Sequence, residues 1–530
     1  MSVKNHNKAV ETSIVSGLKN AIIVLFAKCV SWVIYWRHSM PIKRQEKMLR
    51  YLVKKAKDTD FGKDHFFSEI KGDTFDEFYE NFKKNVPVTD YEGFKGYIEK
   101  IITGKPNVSW PGMLLHLATT SGTTSGEKRI PISKESIWTH IRCAFYALMF
   151  YIARSGNASF MSGKMIFLSG SPELESINGI LLGRLSGIVN LYVPAFFKRK
   201  QMPSLHVNRI REWKVKIDGI VAETKDEDMR LVSGISPWIQ NYFDRLLEVT
   251  RKKTVKEVFP NLSVVVHGGV NFDLYEQHMR STIGGPVDFI ETGPASEGFM
   301  GVQDSNSEGL FLFLNQGVFY EFIPVGVNEN ENYLDLNDSS KRIFLKDVKM
   351  GVEYAIILTT SAGLFSYLIG DTVKLVSNKP HRFVFTGRTA HFISAFGEHV
   401  ISRQVEEAVK SAMQATDSNC VEFTVAPYVA PKTGDSSYYE WFIEFSKLPN
   451  DMEMFSKVLD DVLCKQNNYY SHNIEGGILQ SSQIRVMPKG IFFKHAELCG
   501  KVGSQFKPIR LSNNRKMANE INEVSLVYFS

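Results

Sequence analysis

No two cysteines in this chain are spaced to hold a zinc ion. The five (Cys29, Cys143, Cys420, Cys464 and Cys499) lie scattered through 530 residues with no C-x-x-C among them. An odd, dispersed set excludes a disulfide framework and points to reduced thiols in a cytoplasmic setting. Charge of one sign is scarce too. Sixty-three basic residues face 57 acidic ones, and the net +6 is too mild to indicate a nucleic-acid partner. No internal repeat or low-complexity tract is present. What remains is ordinary globular composition, 43% hydrophobic and 23% charged, in a chain long enough for more than one domain.

A long uninterrupted apolar run is also missing. The nearest approach, Ala21 to Trp36, is broken by Lys28 and closed by Arg37 and His38. It falls short of the ~20 residues that a membrane span needs. Its aromatic end also excludes the small-residue cleavage site of a signal peptide. The stretch predicts a helix with a broad buried face. Integral insertion is not expected, and peripheral contact with a membrane stays open.

Up to residue 100 the pattern is helical, with amphipathic segments at Lys43–Lys57 and Phe75–Lys84. Short apolar runs then alternate with helical ones. Strands are predicted at Lys164–Leu168, Met229–Val232, Leu262–Val266 and Val287–Ile290, and a helix at Pro237–Arg251. That rhythm argues for an α/β sheet whose ligand crevice lies beyond the carboxyl ends of the strands. The loops at 121–129, 267–269 and 293–298 would share it. After Gly309 the chain reads as β-rich, with strands at Leu310–Leu314, Val318–Ile323, Tyr354–Leu358 and Val373–Val376. From about Thr389 an α+β unit begins, with helices near Gln404–Met413 and Met452–Leu463 around a strand at Tyr438–Phe445. The boundary falls at Gly387-Arg388, giving a large domain over 1–388 and a small one over 389–530.

The densest chemistry lies at Ser121-Gly122-Thr123-Thr124-Ser125-Gly126-Glu127-Lys128-Arg129. Glycines let a backbone approach an anion closely, hydroxyls add donors, and cations offset charge, so this is the make-up of a polyphosphate loop. It is not a Walker A loop, since Gly-Lys-Ser/Thr is absent, and the same composition suits a plain turn. Four constellations follow. Ala295-Ser296-Glu297-Gly298 places a carboxylate beyond a strand, fit for a phosphate-bridging magnesium ion or for capping a helix start. In Tyr367-Leu368-Ile369-Gly370-Asp371, Asp371 at a strand end suits ribose hydroxyls or a turn. Phe385-Thr386-Gly387-Arg388 and the tail Lys501-Val502-Gly503-Ser504-Gln505-Phe506-Lys507 offer cations to a phosphate, or to solvent.

Taken in order, SGTTSGEKRIP, ASEGFMG, YLIGD, FTGR and GKVGSQFKPIRLSNNR resemble the Gretchen Hagen auxin-responsive family of acyl acid amido synthetases. That family is a branch of the acyl-adenylate-forming superfamily. Asp60-Phe61-Gly62-Lys63 and Asn107-Val108-Ser109-Trp110-Pro111 resemble its bacterial members, and the likeness runs nearly end to end. It implies a large α/β adenylation domain, a smaller mobile α+β C-terminal domain, and an ATP-dependent ligase. A carboxylic acid would be adenylated with loss of pyrophosphate, and an amine, such as an amino acid, would then displace AMP.

By position, Ser121, Gly122, Thr123, Thr124 and Gly126 would cradle the phosphates, with Lys128 or Arg129 supplying charge. Ser296 and Glu297 would sit at the α-phosphate, Glu297 also at magnesium. Asp371 would hold the ribose, Gly268 would admit the base, Arg388 would meet the nucleotide near the hinge, and Lys507 would reach the reacting groups. The chain departs from the pattern at Gly293, where relatives carry an aromatic for adenine stacking. It departs again at Leu368, where they often carry a basic residue. Two other readings stay open: an acyl-coenzyme A ligase with a thiol acceptor, and a nucleotide- or acyl-binding protein without turnover.

Overall fold

In a computed structural model, which describes residues 2–120, 128–169, 172–210, 212–269, 272–328, 331–333, 341–388, 392–398, 400–432, 435–498, 509–513 and 515–528, the predicted helical start is present. Helices cover Ser2–Arg37, Pro41–Ala56, Phe75–Asn85 and Tyr91–Ile102. Their ends follow from local chemistry. Thr74 accepts from the Glu77 N–H while the Glu77 carboxylate accepts from the Thr74 N–H. That reciprocal pair satisfies donors which a helix start leaves open. Asp90 caps the next helix through the Gly93 N–H. The buried faces, with Leu52, Phe82, Phe94 and Ile98 among them, share one core with Phe319, Phe322 and Ile356 of the main sheet.

The first helix departs from expectation. Its buried side is a narrow line of Ala27, Ser31 and Ile34, while Leu18, Ile22, Leu25, Phe26, Trp32 and Trp36 are exposed. It rests chiefly on the Lys134–Ser155 helix, so one side packs and the remaining apolar residues face outward.

The main sheet has twelve strands among the described residues. Gln201–Met202, Lys164–Phe167, Met229–Ser233, Val264–Gly268 and Asp288–Pro294 run parallel, as the βα rhythm predicts. Successive residues point to opposite faces, and both faces are covered. Met165, Leu231 and Val264 meet the first helix and the Lys134–Ser155 helix. Ile166, Val232 and Val265 meet the Ser236–Thr250 and Asp273–Ile283 helices. Strand direction reverses at Asp288–Pro294, whose other neighbour, Phe299–Val302, is antiparallel. The β-rich half continues from there through Leu310–Leu312, His381–Arg388, Tyr367–Asn378, Glu353–Thr360 and Val318–Pro324 to Ile343–Phe344.

A four-stranded sheet holds the hairpin of His116–Thr120 and Lys128–Ile132. The C-terminal unit is α+β as expected, its Ser402–Ala415 and Met452–Gln466 helices accompanying a sheet of Asn419–Tyr428, Tyr438–Lys447 and Gln483–Met487. Phe396 and Trp441 share a core with Tyr275 and Met279 of the large unit. The Tyr275 hydroxyl donates to the Ala395 carbonyl at 2.6 Å.

Beneath the β-rich half lies a buried ion pair. Arg342 donates through Nε to Glu321 Oε1 at 2.5 Å, through Nη1 to the Val86 carbonyl at 2.7 Å, and through Nη2 to Ser366 Oγ at 2.5 Å. Ser366 and Tyr79 donate to Glu321 in turn, at 3.2 Å and 3.0 Å. Both charges are shut off from solvent. Removing one partner of such a pair strands the other charge. Glu321→Ala is therefore expected to cost about 3–5 kcal/mol in urea unfolding. The double replacement Glu321→Leu with Arg342→Met should recover most of that. A single variant with an unchanged midpoint would contradict the assigned weight of the pair.

Candidate functional site

The predicted loop residues Ser121, Gly122, Thr123, Thr124 and Gly126, and the tail residue Lys507, lie outside the described residues. The strands that flank the loop do pair, with Thr119 opposite Arg129 and Thr120 opposite Lys128. Residues 121–127 therefore join two arms of a hairpin, and both predicted cations stand at its closing rungs. Lys128 Nζ lies 5.9 Å from the Tyr91 ring centre, and the Arg129 N–H donates to the Tyr91 hydroxyl at 3.2 Å. Tyr91 follows Thr89, whose backbone N–H donates to the Ser366 carbonyl at 3.1 Å and whose carbonyl accepts from the Leu368 N–H at 2.8 Å. The hairpin base is thus linked to the strand that carries Asp371.

Ser296 and Glu297 do not open a helix. They form the turn of a hairpin between Asp288–Pro294 and Phe299–Val302, closed by two bonds between Ala295 and Gly298 at 3.0 and 3.2 Å. Cross-strand pairing overrides the capping character of the Ser-Glu pair. Both side chains are half-buried. A Cβ at Gly298 would touch Val318 Cγ2 at 3.1 Å and Thr360 Cγ2 at 3.9 Å, so the turn lies against the Glu353–Thr360 strand end. Next to Thr360, the Ser361 carbonyl accepts from the Ser133 hydroxyl at 2.6 Å. Ser133 caps the helix that follows the Lys128–Ile132 strand. The Glu297 turn and the Ile132 end of the hairpin, opposite the Lys128 rung, therefore meet the same strand end.

Asp371 lies inside a strand, Tyr367–Asn378, rather than at its end. Gly370 explains the difference. It holds φ +91 at a bulge, where Ala355 pairs with Thr372 but Ile357 with Leu368. Only glycine adopts that backbone at no steric cost, and the bulge re-aims the residue beside it. The Asp371 backbone pairs with that of Arg388, which brings two predicted nucleotide contacts to one rung.

Gly268 is confined by its own sheet. A Cβ there would overlap the Thr292 carbonyl oxygen of the adjacent parallel strand. Glycine is required by that backbone approach, independently of any ligand. Beside it, His267 stacks on Phe272 at 3.8 Å, and burial pushes its imidazole down to about 3, so the ring is neutral. One step beyond Thr292, a Cβ at Gly293 would lie 3.2 Å from Leu310 Cδ1 and 3.3 Å from Phe385 Cε2. Phe385 is 40% exposed. The ring reaches across from the His381–Arg388 strand to the space that Gly293 leaves bare.

Tyr91 and Phe385 were not singled out by the sequence. Tyr91 reads as the first residue of a capped helix. Phe385 stands in the FTGR motif, whose sequence-level chemistry rests on its arginine.

Sequence profiles of the GH3 family match three parts of the chain: its N-terminal domain residues 37–211, its central domain 311–388 and its C-terminal domain 403–516. Indole-3-acetic acid-amido synthetase GH3.10 of Arabidopsis thaliana is 26% identical over 223 residues, 40% of this chain and 37% of that protein. Indole-3-acetic acid-amido synthetase GH3.15 of Arabidopsis thaliana is 23% identical over 421 residues, 65% of this chain and 69% of its own length. The chain thus matches little more than a third of the first relative and about two thirds of the second. A solved structure of the GH3.15 acyl acid amido synthetase superposes with a TM-score of 0.57 at 17% identity, covering 94% of this chain and 96% of that one. The likeness is one of fold: a large α/β unit with a smaller C-terminal unit.

Gly268→Ala forces a methyl into the Thr292 carbonyl, and overpacking of this kind costs about 1–3 kcal/mol. Chemical denaturation should show the loss with no nucleotide present. Unchanged stability together with weakened nucleotide binding would instead make Gly268 a ligand contact alone.

Proposed function

The chain belongs to the GH3 family, and on that premise we propose that it is an ATP-dependent ligase that adenylates a small carboxylic acid and passes the acyl group to an amine such as an amino acid. The acid's carboxylate oxygen attacks the α-phosphorus of ATP and pyrophosphate leaves. The amine nitrogen then attacks the acyl carbon, and AMP leaves with the carboxylate oxygen. No protein nucleophile is needed, because positioning and neutralisation of the leaving pyrophosphate supply most of the acceleration. The observation that carries this reading is the convergence just described. Tyr91 and Thr89 tie the Lys128 and Arg129 rungs to the start of the strand that carries the Asp371–Arg388 rung. The Glu297 turn packs on the end of the neighbouring Glu353–Thr360 strand, to which Ser133 fastens the far end of the Lys128–Ile132 strand.

On this reading Ser121, Gly122, Thr123, Thr124 and Gly126 wrap the triphosphate, and the two flanking cations offset its charge. Asp371 accepts the ribose hydroxyls, and Arg388 meets the nucleotide beside it. Gly268 lets the backbone lie close to the base, Gly293 leaves the stacking role to another strand, and the exposed Phe385 ring serves as the platform for the adenine. Glu297 offers one half-buried carboxylate beside the Ser296 hydroxyl. That donor set fits magnesium, which takes one or two carboxylates and completes its shell with phosphate oxygens. When bound, the ion would spread the charge of the leaving pyrophosphate. The C-terminal unit, from 389 onward, brings Lys507 to the reacting groups. Cys29, Cys143, Cys420 and Cys464 are free thiols, which supports a reducing, cytoplasmic setting.

Acid-dependent pyrophosphate release across a panel of carboxylic acids tests the proposal, with amino acids and coenzyme A added in turn to identify the acceptor. Turnover is expected with at least one acid, and an amino acid should accelerate it. ATP binding with no acid-dependent release from any acid would sink the ligase reading. Glu297→Ala should lower that release roughly 100-fold or more, as loss of one preorganised electrostatic contact does. A second variant addresses the base. Phe385→Ala should weaken ATP binding by about 1–3 kcal/mol in calorimetry, the worth of one aromatic stack. Adding Gly293→Tyr in that background should restore part of it. Unaltered affinity in Phe385→Ala would remove the ring from the base site.

A further inference from the structure

The first helix carries an exposed face that nothing in the fold or the proposed chemistry uses. The inner side of its second half is tied down at Asn20 and at Tyr35. Asn20 donates to the Gly156 carbonyl at 3.2 Å and accepts from the Ala158 N–H at 2.8 Å. Fifteen residues on, about 22 Å along the helix at 1.5 Å per residue, the Tyr35 hydroxyl donates to Asp304 at 2.5 Å. Asp304 is itself clamped by Arg382 through bonds of 2.9 and 2.7 Å. Between these ties Ala27, Ser31 and Ile34 are buried. The helix is thus fastened to the large unit from Asn20 to Tyr35.

The outer side is a continuous apolar stripe. Leu18, Ile22, Leu25, Cys29, Trp32 and Trp36 recur at intervals of four and three and are all exposed, Leu25 by 65%, Trp32 by 67% and Trp36 by 60%. Exposed apolar surface of this extent on a folded chain marks an interaction site. By length and composition Gly17–Arg37 could cross a bilayer. The Asn20 and Tyr35 ties argue against that, because crossing would break both and leave the Asp304–Arg382 pair without Tyr35.

Charge identifies the occupant. From Thr12 to Gln45 the sequence contains no acidic residue, and Lys19, Lys28 and Arg37 are exposed on the helix. At 100° per residue, Lys19 and Arg37 fall about 100° to one side of the stripe and Lys28 about 80° to the other. Cations therefore border the apolar face on both flanks, where their stems can lie along it and their heads reach phosphate. Two tryptophans on the face itself suit the headgroup boundary. A second copy of the chain would bring the same cations together, with no acid between Thr12 and Gln45 to pair with them. We propose that this face docks the protein on an anionic lipid surface, with the helix lying in the plane of the interface and the large unit held against the membrane.

Flotation of the full chain with phosphatidylcholine vesicles, with and without phosphatidylserine, tests this. Binding is expected to the anionic vesicles and to weaken with added salt. Trp32→Glu with Trp36→Glu should abolish it. Lys19→Gln, Lys28→Gln and Arg37→Gln together should weaken it roughly tenfold or more, as lost juxtamembrane cations do. Both sets of substitutions are on the exposed face, so thermal unfolding and acid-dependent pyrophosphate release should stay unchanged. No binding to anionic vesicles, or binding untouched by both variants, would overturn the proposal. So would a dimer in light scattering that the Trp32→Glu, Trp36→Glu variant dissolves, since the face would then belong to a second copy.

Discussion

The Arg342–Glu321 pair is the constraint on which the site depends. Neither charge can persist in the core alone, so every group that reaches them is held in place by their need for partners. Ser366 is the node. Its hydroxyl binds both charges, its N–H donates to Thr359 at 2.9 Å, and its carbonyl accepts from Thr89. It also stands in the left-handed region at φ +47, a backbone that a non-glycine residue keeps only where its surroundings fix it. One residue later begins the strand that carries Asp371, and through Thr89 the same node sets Tyr91 under the Lys128 and Arg129 rungs. A structural ion pair thereby fixes the spacing between the proposed ribose and phosphate ends of the site.

The proposed base end follows a different logic, that of close packing around two glycines. Gly268 is glycine because a neighbouring carbonyl fills the space a side chain would take. Gly293 is glycine beside a ring supplied by another strand. The two glycines sit on adjacent parallel strands at the place where the sheet changes from parallel to antiparallel. That junction lets Phe385, four strands from the Val264–Gly268 edge in the sheet order, reach the carboxyl end of the parallel block. On the proposed reading, the aromatic missing at Gly293 is offset by the exposed ring of Phe385 beside it.

Much of this was legible in the sequence. The parallel strands, the β-rich middle and the α+β end rest on periodicity and on runs long enough to be unambiguous. Long-range choices were not. Ser296-Glu297 reads as a helix cap because capping is a local property, whereas the hairpin that holds it is decided by Phe299–Val302 pairing with Asp288–Pro294. Asp371 reads as a strand end because glycine usually stops a strand, and here Gly370 makes a bulge instead. The first helix reads as buried because apolarity alone does not say how many neighbours a helix will have. Phe385 lay inside a recognised motif, yet its reach toward Gly293 exists only once four strands lie side by side. The order of motifs points to the kind of site, and the fold adds Tyr91 and Phe385 to the residues proposed to line it.

Chemistry at this site is tested most directly by isotope transfer. With an acid that supports turnover, labelled with oxygen-18 in its carboxyl group, adenylation followed by amine attack must leave one labelled oxygen in the phosphate of AMP. Label found in AMP, with unlabelled pyrophosphate, is the expected result. Label appearing in inorganic phosphate alongside ADP would mean activation at the γ-phosphate, and the site as assigned, with Glu297 at the α-phosphate and Asp371 at the ribose, would be wrong.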